Sequence, residues 1–117
     1  MHSSWKAAFV DSTQLLKGVL DIAILATLSR RDDYGYALVT ELRSAGFENV
    51  GEASVYGTLR RLTADGSVSS YSQPSDSGPN RKYYTLTEHG REQYELGAKS
   101  WHHFADTMHY LLTKESR

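Results

Sequence analysis

The sequence predicts a mainly α-helical fold with one small β-hairpin, arranged as a winged helix-turn-helix with a long C-terminal dimerisation helix. Two observations support this prediction. Residues 51–90 contain an amphipathic helical pattern followed directly by two β-prone runs with a polar tip. Residues 87–113 repeat apolar side chains every seven positions, the spacing of a helix that packs on another helix. The expected parts are a lead-in at 1–12, the winged domain at 13–87 and the dimerisation helix at 88–117.

Length and composition fit one small domain. The chain has 117 residues, no cysteine and a net charge of −1, so it can bury a single modest core and form no disulfide or thiolate site. The longest apolar stretch, residues 15–28, contains Lys17 and Asp21 and is shorter than the roughly 20 residues of a membrane span. Residues 1–12 lack a signal-peptide pattern. We therefore expect a cytoplasmic protein without a membrane partner.

Two helices are predicted before the amphipathic segment. A helix over residues 13–30 is expected to be central, because its apolar residues cover more than half of its circumference. Asp32 or Asp33 is suited to cap a second helix that ends at Gly46. The expected buried stripe of this second helix consists of Leu38, Leu42 and Ala45. A short amphipathic lead-in is predicted from Trp5, Ala8 and Phe9.

The helix predicted over residues 53–65 has two different faces. Val55, Leu59 and Leu62 fall at i, i+4 and i+7, so they form a stripe that must be buried, and Gly66 ends the helix. The other face is small and then cationic. Small residues allow close approach to a DNA groove, and arginine forks can bind phosphates or bases. The side chains assigned to a DNA-binding surface here are Ser54, Tyr56, Gly57, Thr58, Arg60 and Arg61.

Two β-prone runs, residues 68–73 and 81–87, predict the hairpin. They are separated by PSDSGPN, whose turn-forming residues predict a long exposed tip. Tyr84 and Leu86 are expected to meet Val68 in the core, since side chains alternate along a strand. Adjacent cations beside the tip suit a phosphate backbone or a minor groove, although a hairpin whose charges only aid solubility is the alternative. The DNA-binding residues assigned here are Asn80, Arg81, Lys82 and Tyr83, together with Tyr34 at the entrance of the second helix.

The overall charge of −1 opposes binding to DNA, because affinity for DNA comes largely from cations on phosphates. The distribution of charge softens this objection. Between Ser54 and Leu86 there are four cations and two anions, a local surplus of two positive charges. The amphipathic helix and the hairpin therefore form the more cationic part of the chain.

The last helix is predicted to begin after the N-cap Thr87 and to reach about Thr113. Its heptad rows are Tyr94, Trp101 and Met108; Gly97, Phe104 and Leu111; and Ala98, Ala105 and Leu112. The economical partner for this seam is the same helix of a second copy; the alternative is that the helix folds back on its own core. The candidate dimer-interface or effector-binding residues are Tyr94, Trp101, Phe104 and Met108. Trp101 lies centrally and is the candidate contact for a small aromatic effector.

No catalytic site, cofactor or metal site is predicted. His102, Asp106 and His109 share one helical face, but the sequence supplies no evident fourth ligand. It also contains no nucleophile elbow, phosphate-binding glycine loop or paired-carboxylate pattern. We therefore do not expect an enzyme.

Three segments together resemble the PadR family of bacterial winged helix-turn-helix transcriptional regulators. They are LLKGVLDIAILATLSRRDDYGYALVTELRSAGF, EASVYGTLRRLTADGSV and SGPNRKYYTLTEHG, within residues 14–114. Gly57, Ser67 and Ser69 depart from the usual family pattern but affect no core position. The resemblance implies a homodimeric, ligand-responsive repressor that places one helix in each major-groove half-site of a pseudo-palindromic operator. A winged-helix module that binds protein instead of DNA is the alternative.

Overall fold

The computed structural model describes residues 12–115, with side chains from residue 15 onward, so the predicted lead-in helix lies outside the described residues. Within this range the chain forms five helices and one three-stranded antiparallel sheet. The helices are α1 (Ser12–Lys17), α2 (Leu20–Arg30), α3 (Gly35–Ala45), α4 (Glu52–Ala64) and α5 (Glu88–Thr113). The strands are β1 (Asp33–Tyr34), β2 (Val68–Ser75) and β3 (Gly78–Leu86), in the order β1-β3-β2. The predicted fold class is confirmed.

One apolar core joins α2, α3, α4 and the base of the sheet. The side chains of Ile24, Leu38 and Val55 have no exposed surface, and Val68 closes the core from β2 opposite Leu86 of β3. The predicted stripe of α4 is confirmed, because all three of its residues are buried. The apolar spacing of the sequence therefore places α4 with one face fixed on the core and the other face in solvent.

The N-terminal helix differs from the prediction, because it is broken at Gly18 and Val19. The backbone N–H groups of these two residues donate to the carbonyls of Leu15 and Leu16, three positions back, which tightens the chain into a turn. Glycine is a poor residue for a helix interior, and the break is located there. It separates α1 from α2, while Leu16 and Leu20 both remain buried.

The start of α3 also differs from the prediction. Neither Asp32 nor Asp33 is its N-cap; that position is Tyr34, whose side chain makes no capping hydrogen bond to α3. Asp33 and Tyr34 instead form β1, paired with Tyr84 and Tyr83 of β3. Gly46 ends α3 with a φ of 132°, as expected of a glycine at that position. Within the predicted stripe Leu38 and Leu42 are buried, but Ala45 is exposed and Val39 is buried instead.

The prediction of a long tip for the hairpin is wrong. Strand β2 continues to Ser75 and β3 starts at Gly78, which leaves a two-residue turn. The pairing register shifts between Gln73 and Ser75, so Pro74 lies at a bulge. Proline lacks the N–H that a strand ladder uses, and a bulge tolerates it. Of the turn-forming residues in this segment, only Asp76 and Ser77 make the turn, and the others lie within the two strands.

A close backbone contact joins the end of α4, the base of β2 and the start of α5. The Ser67 carbonyl accepts a hydrogen bond from the Thr87 N–H at 3.1 Å, and the Thr87 hydroxyl donates to the Gly66 carbonyl at 2.6 Å. Thr87 also caps α5, because its hydroxyl oxygen accepts from the Gly90 N–H at 2.9 Å. Gly90 is buried, and a side chain there would overlap the Ser67 carbonyl. This contact sets where α5 leaves the domain.

The apolar stripe of α5 is divided between two environments. Its first half packs on its own domain: Tyr94 contacts the core, and a Cβ at Gly97 would lie 3.0 Å from Cγ1 of Ile22. Its second half is exposed, with exposed fractions of 41% for Trp101 and 58% for Phe104. The first half of the helix therefore folds back on its own domain, as the alternative expected, and the predicted seam with a second copy stays a prediction for the second half.

Helix α5 also extends the molecule. The radius of gyration is 16.6 Å, whereas a compact domain of this length has roughly 13 Å. Among residues 12–115, no helix is both long and apolar enough to cross a membrane.

Replacement of Gly90 by alanine tests the contact at the start of α5. Because the added methyl group would meet backbone, which cannot rotate away, we expect Gly90→Ala to lower the free energy of unfolding by about 1–3 kcal/mol or more. The matched control is Gly57→Ala, whose methyl group would make only an ordinary contact, 3.7 Å from Nη2 of Arg60, and should raise stability by about 0.5–1 kcal/mol. Urea denaturation of both variants measures the difference. Equal stabilities would show that the close contact is absent.

Candidate nucleic-acid interface

Helix α4 presents an exposed face that is small at its beginning and cationic further along. Ser54 is exposed, Gly57 is half-buried, and Arg60 and Arg61 are exposed. The helix starts after Gly51, which has an ordinary extended backbone with φ −89° and ψ 148°. Because Gly57 has no side chain, the backbone of α4 is accessible there to a large ligand. The face suits close approach to a groove.

Thr58 does not belong to this face. Its exposed fraction is 6%, and its hydroxyl donates to the Ser54 carbonyl at 2.8 Å. Threonine in a helix often satisfies its hydroxyl in this way, so Thr58 packs as a core residue despite its polarity. Although Thr58 was assigned to the DNA-binding surface, the structure places its side chain in the core and not on the exposed face of α4.

Arg61 forms an ion pair that no pattern in the sequence predicts. Its two terminal nitrogens lie 2.8 and 3.4 Å from the two carboxylate oxygens of Asp21 on α2. The two side chains are 55% and 48% exposed, so this surface pair contributes roughly 0–1 kcal/mol to stability. Its larger effect is on charge, since Asp21 offsets the positive charge of Arg61. Arg60, in contrast, makes no ion pair within the part of the chain that the structure describes.

Lys17 is a second residue that the sequence did not point to. A shallow groove of about 320 Å³ separates α4 from α1 and the start of α2, and Lys17 and Asp21 line it opposite Ser54, Gly57 and Arg61. Lys17 lies 35 positions before Glu52, the first residue of α4, so no local pattern connects them. The fold thus adds one cation and one anion to the edge of the α4 face.

Tyr56 contacts α3. Its ring covers Gly35, where a side chain would overlap it, so glycine is needed for α3 and α4 to approach this closely. Burial raises the pKa of the Tyr56 phenol. The residue was assigned to DNA binding, but in the structure its ring is part of the packing between the two helices.

Three tyrosines form a row across the outer face of the sheet. Tyr34 of β1 pairs with Tyr83 of β3, which pairs with Tyr71 of β2. The Tyr34 and Tyr83 ring centroids are 5.4 Å apart, edge to face, and the Tyr83 and Tyr71 centroids are 5.8 Å apart and stacked. Both arrangements are favourable for aromatic rings. We call this set the tyrosine row.

Each end of the tyrosine row has a polar neighbour. The guanidinium carbon of Arg81 lies 4.4 Å from the Tyr34 ring centroid, within the range of a cation–π interaction. At the other end, the Tyr71 hydroxyl donates to the Asp32 carboxylate at 2.7 Å. This hydrogen bond raises the pKa of the Tyr71 phenol, because the carboxylate stabilises the protonated form.

The two adjacent cations of the wing do not point in the same direction. Lys82 pairs with Ser72 on the face of the sheet opposite to Arg81, and its Nζ lies 5.8 Å from the Tyr84 ring centroid. This separation follows from the strand conformation, because neighbouring side chains on a strand alternate. The prediction placed both cations beside a loop. In the structure only Arg81 shares a face with Tyr34 and Tyr83, and Asn80 is exposed nearer the tip.

Comparisons with known proteins agree with this geometry. Residues 24–96 match the sequence model of a protein family, the "Transcriptional regulator PadR-like family". A solved PadR-like transcriptional regulator from Bacillus cereus is 40% identical, with a TM-score of 0.80, covering 87% of this chain and 99% of that one. A Streptococcus transcriptional regulator is 32% identical, with a TM-score of 0.77 and coverages of 86% and 98%. An uncharacterized protein of Lysinibacillus sphaericus is 29% identical over 91 residues, 76% of this chain and 84% of that one.

Proposed function

The chain belongs to the PadR-like family of transcriptional regulators, and we propose that it acts as a homodimeric, ligand-responsive repressor on a pseudo-palindromic operator. The family is one of DNA-binding regulators. The observation that carries the proposal is the exposed face of α4, on which Arg60 follows the small residues Ser54 and Gly57 and makes no ion pair with any of residues 12–115. A helix with this face can enter a major groove and place the guanidinium against a base edge.

The wing is proposed to hold the protein on the DNA backbone. Arg81 and Asn80 are exposed on β3, and phosphate contacts of this kind position a protein without distinguishing bases. Lys82 is exposed as well but faces the other side of the sheet. We therefore assign Arg81 the main wing contact and Lys82 a lesser one.

The homodimer is proposed to form through the second half of α5. Trp101, Phe104, Met108 and Leu111 are 41%, 58%, 39% and 53% exposed and continue the stripe that Tyr94 and Gly97 bury in their own domain. Such a stripe of large apolar residues is costly to leave in water. Packing against the same stripe of a second copy would cover both, in a two-fold arrangement.

A dimer of this kind explains how a small molecule would control binding. Two α4 helices fit adjacent half-sites only when they lie about 34 Å apart, and the angle between paired α5 helices would set that distance. Trp101 and Phe104 have ring centroids 6.0 Å apart and tilted by 35°, so they offer an aromatic surface near the proposed interface. A planar aromatic effector bound there would shift the equilibrium between the two angles.

A gel-shift assay with DNA from upstream of the gene and excess nonspecific DNA tests the proposed function. We expect a specific complex, and Arg60→Ala should weaken it by about 1–3 kcal/mol if Arg60 binds a base through two hydrogen bonds. Lys99→Ala is the control, because it removes a cation from the exposed surface of α5 and should leave the affinity unchanged. If the wild-type protein binds all duplexes equally or not at all, a winged-helix module that binds protein becomes the better assignment.

A charge placed in the stripe of α5 tests the dimer. We expect Phe104→Lys to raise the dimer dissociation constant by at least about 30-fold, roughly 2 kcal/mol, as for loss of an interface hot spot. The control is Asp106→Lys, which places a lysine two residues further along α5, on its opposite face, and should leave the dimer intact. Sedimentation equilibrium measures both. Dimers of equal strength in the two variants would exclude this stripe as the interface.

The Asp21–Arg61 pair predicts a change in salt dependence. Because Asp21→Asn frees Arg61 to bind a phosphate, we expect nonspecific DNA binding to tighten and the slope of log Kobs against log salt concentration to steepen by about 0.9. Asp106→Asn removes the same charge from α5 and should not change the slope. Fluorescence titrations of a random duplex at several salt concentrations measure both slopes, and an unchanged slope in Asp21→Asn would show that Arg61 stays away from the DNA.

A further inference from the structure

The tyrosine row and Arg81 suggest a function for Tyr34 that differs from direct contact with DNA. Tyr34 belongs to two elements of the fold, since it pairs with Tyr83 in the sheet and is also the N-cap residue of α3. Its ring is half-buried, with Tyr83 against it and the guanidinium of Arg81 over it. A ring held on several sides is a fixed surface.

The row is fixed at its far end as well. Tyr71 stacks on Tyr83 with an angle of 20° between the rings, and its hydroxyl donates to Asp32 in the segment between α2 and β1. Asp32 and Tyr34 are two positions apart in the sequence. The row therefore starts and ends on the same short segment, and it ties both long strands of the wing to the helical part of the domain.

The contact between Arg81 and Tyr34 differs from an ion pair, because it does not neutralise the charge of the arginine. Arg61 uses its guanidinium nitrogens on Asp21, and its charge is offset. Arg81 instead lies over the ring of Tyr34, with its guanidinium carbon 4.4 Å from the ring centroid. Arg81 makes no ion pair with any of the residues that the structure describes, and a cation–π contact leaves its positive charge and its N–H donors able to bind a phosphate.

We propose that Tyr34 is a positioning residue for DNA binding, whose ring holds the Arg81 guanidinium in the orientation in which it binds a DNA phosphate. This proposal depends on the proposed function, since it assumes that Arg81 contacts DNA. Preorientation of a long side chain reduces the entropy lost when it binds. Tyr34 then affects DNA affinity only through Arg81, and its own hydroxyl takes no part.

The test measures dissociation constants for one duplex, a fragment from upstream of the gene, at fixed salt. Tyr34→Phe keeps the ring and should bind within twofold of wild type. Tyr34→Leu removes the ring and should bind roughly two- to fivefold more weakly, the value of an exposed cation–π contact. In a protein that already carries Arg81→Ala, Tyr34→Leu should have no further effect. In a protein that carries Lys82→Ala, whose side chain faces the other side of the sheet, the effect of Tyr34→Leu should persist.

An NMR measurement on the wild-type protein makes the test independent of whether Tyr34→Leu folds well. Protons of the Arg81 side chain lie over an aromatic ring and should be shifted upfield, and the shift should persist in Tyr34→Phe. Unshifted Arg81 protons in both proteins would overturn the proposal.

Each result of the binding test has a distinct meaning. If Tyr34→Phe binds as weakly as Tyr34→Leu, the hydroxyl itself contacts DNA and the proposal is overturned. If Tyr34→Leu weakens binding further in the Arg81→Ala background, Tyr34 acts through something other than Arg81, which also overturns it. If Arg81→Ala leaves the affinity unchanged while the upstream fragment is still bound specifically, Arg81 does not contact DNA and the proposal for Tyr34 is overturned. If the wild-type protein itself does not bind the fragment specifically, the proposed function is rejected.

Discussion

The fold depends most on the close approach of Gly90 to the Ser67 carbonyl. At this point the end of α4, the base of the wing and the start of α5 share one set of hydrogen bonds through Thr87. No side chain larger than hydrogen fits between the two backbones. Backbone contacts of this kind have little freedom to adjust, since packed interiors relax only partly. The direction in which α5 leaves the domain is therefore fixed relative to α4, and a movement of one helix is coupled to a movement of the other.

Local patterns in the sequence predicted the elements whose packing is itself periodic. The stripe of α4 and the N-cap Thr87 follow from spacing and residue type alone, and both are confirmed. The break at Gly18 and the strand at Asp33 could not be predicted in this way. The break at Gly18 depends on whether the core favours a straight helix. The strand at Asp33 depends on a partner strand that lies about 50 positions later in the sequence. Tertiary contacts decide such cases against local preference.

The candidate surface was predictable in composition but not in geometry. Arg60, Arg61 and Arg81 were identified from charge and face, yet the three guanidinium groups have different surroundings. Arg60 makes no ion pair in residues 12–115, Arg61 binds Asp21, and Arg81 lies over Tyr34. Asp21 and Arg61 are 40 positions apart, so no spacing rule connects them. Thr58 shows the converse case, in which a polar residue is buried because the helix backbone satisfies its hydroxyl.

The bulge at Pro74 has a consequence for how copies of the protein can associate. Strand β2 lies at the edge of the sheet, and an edge strand with free N–H and C=O groups can add a strand from another molecule and so begin aggregation. Proline supplies no N–H at that edge, and the shifted register between Gln73 and Ser75 bends the strand away from a flat template. Growth of the sheet from one molecule to the next is thereby hindered at the outer end of β2, so the hairpin is a poor template for a fibre at its most exposed part.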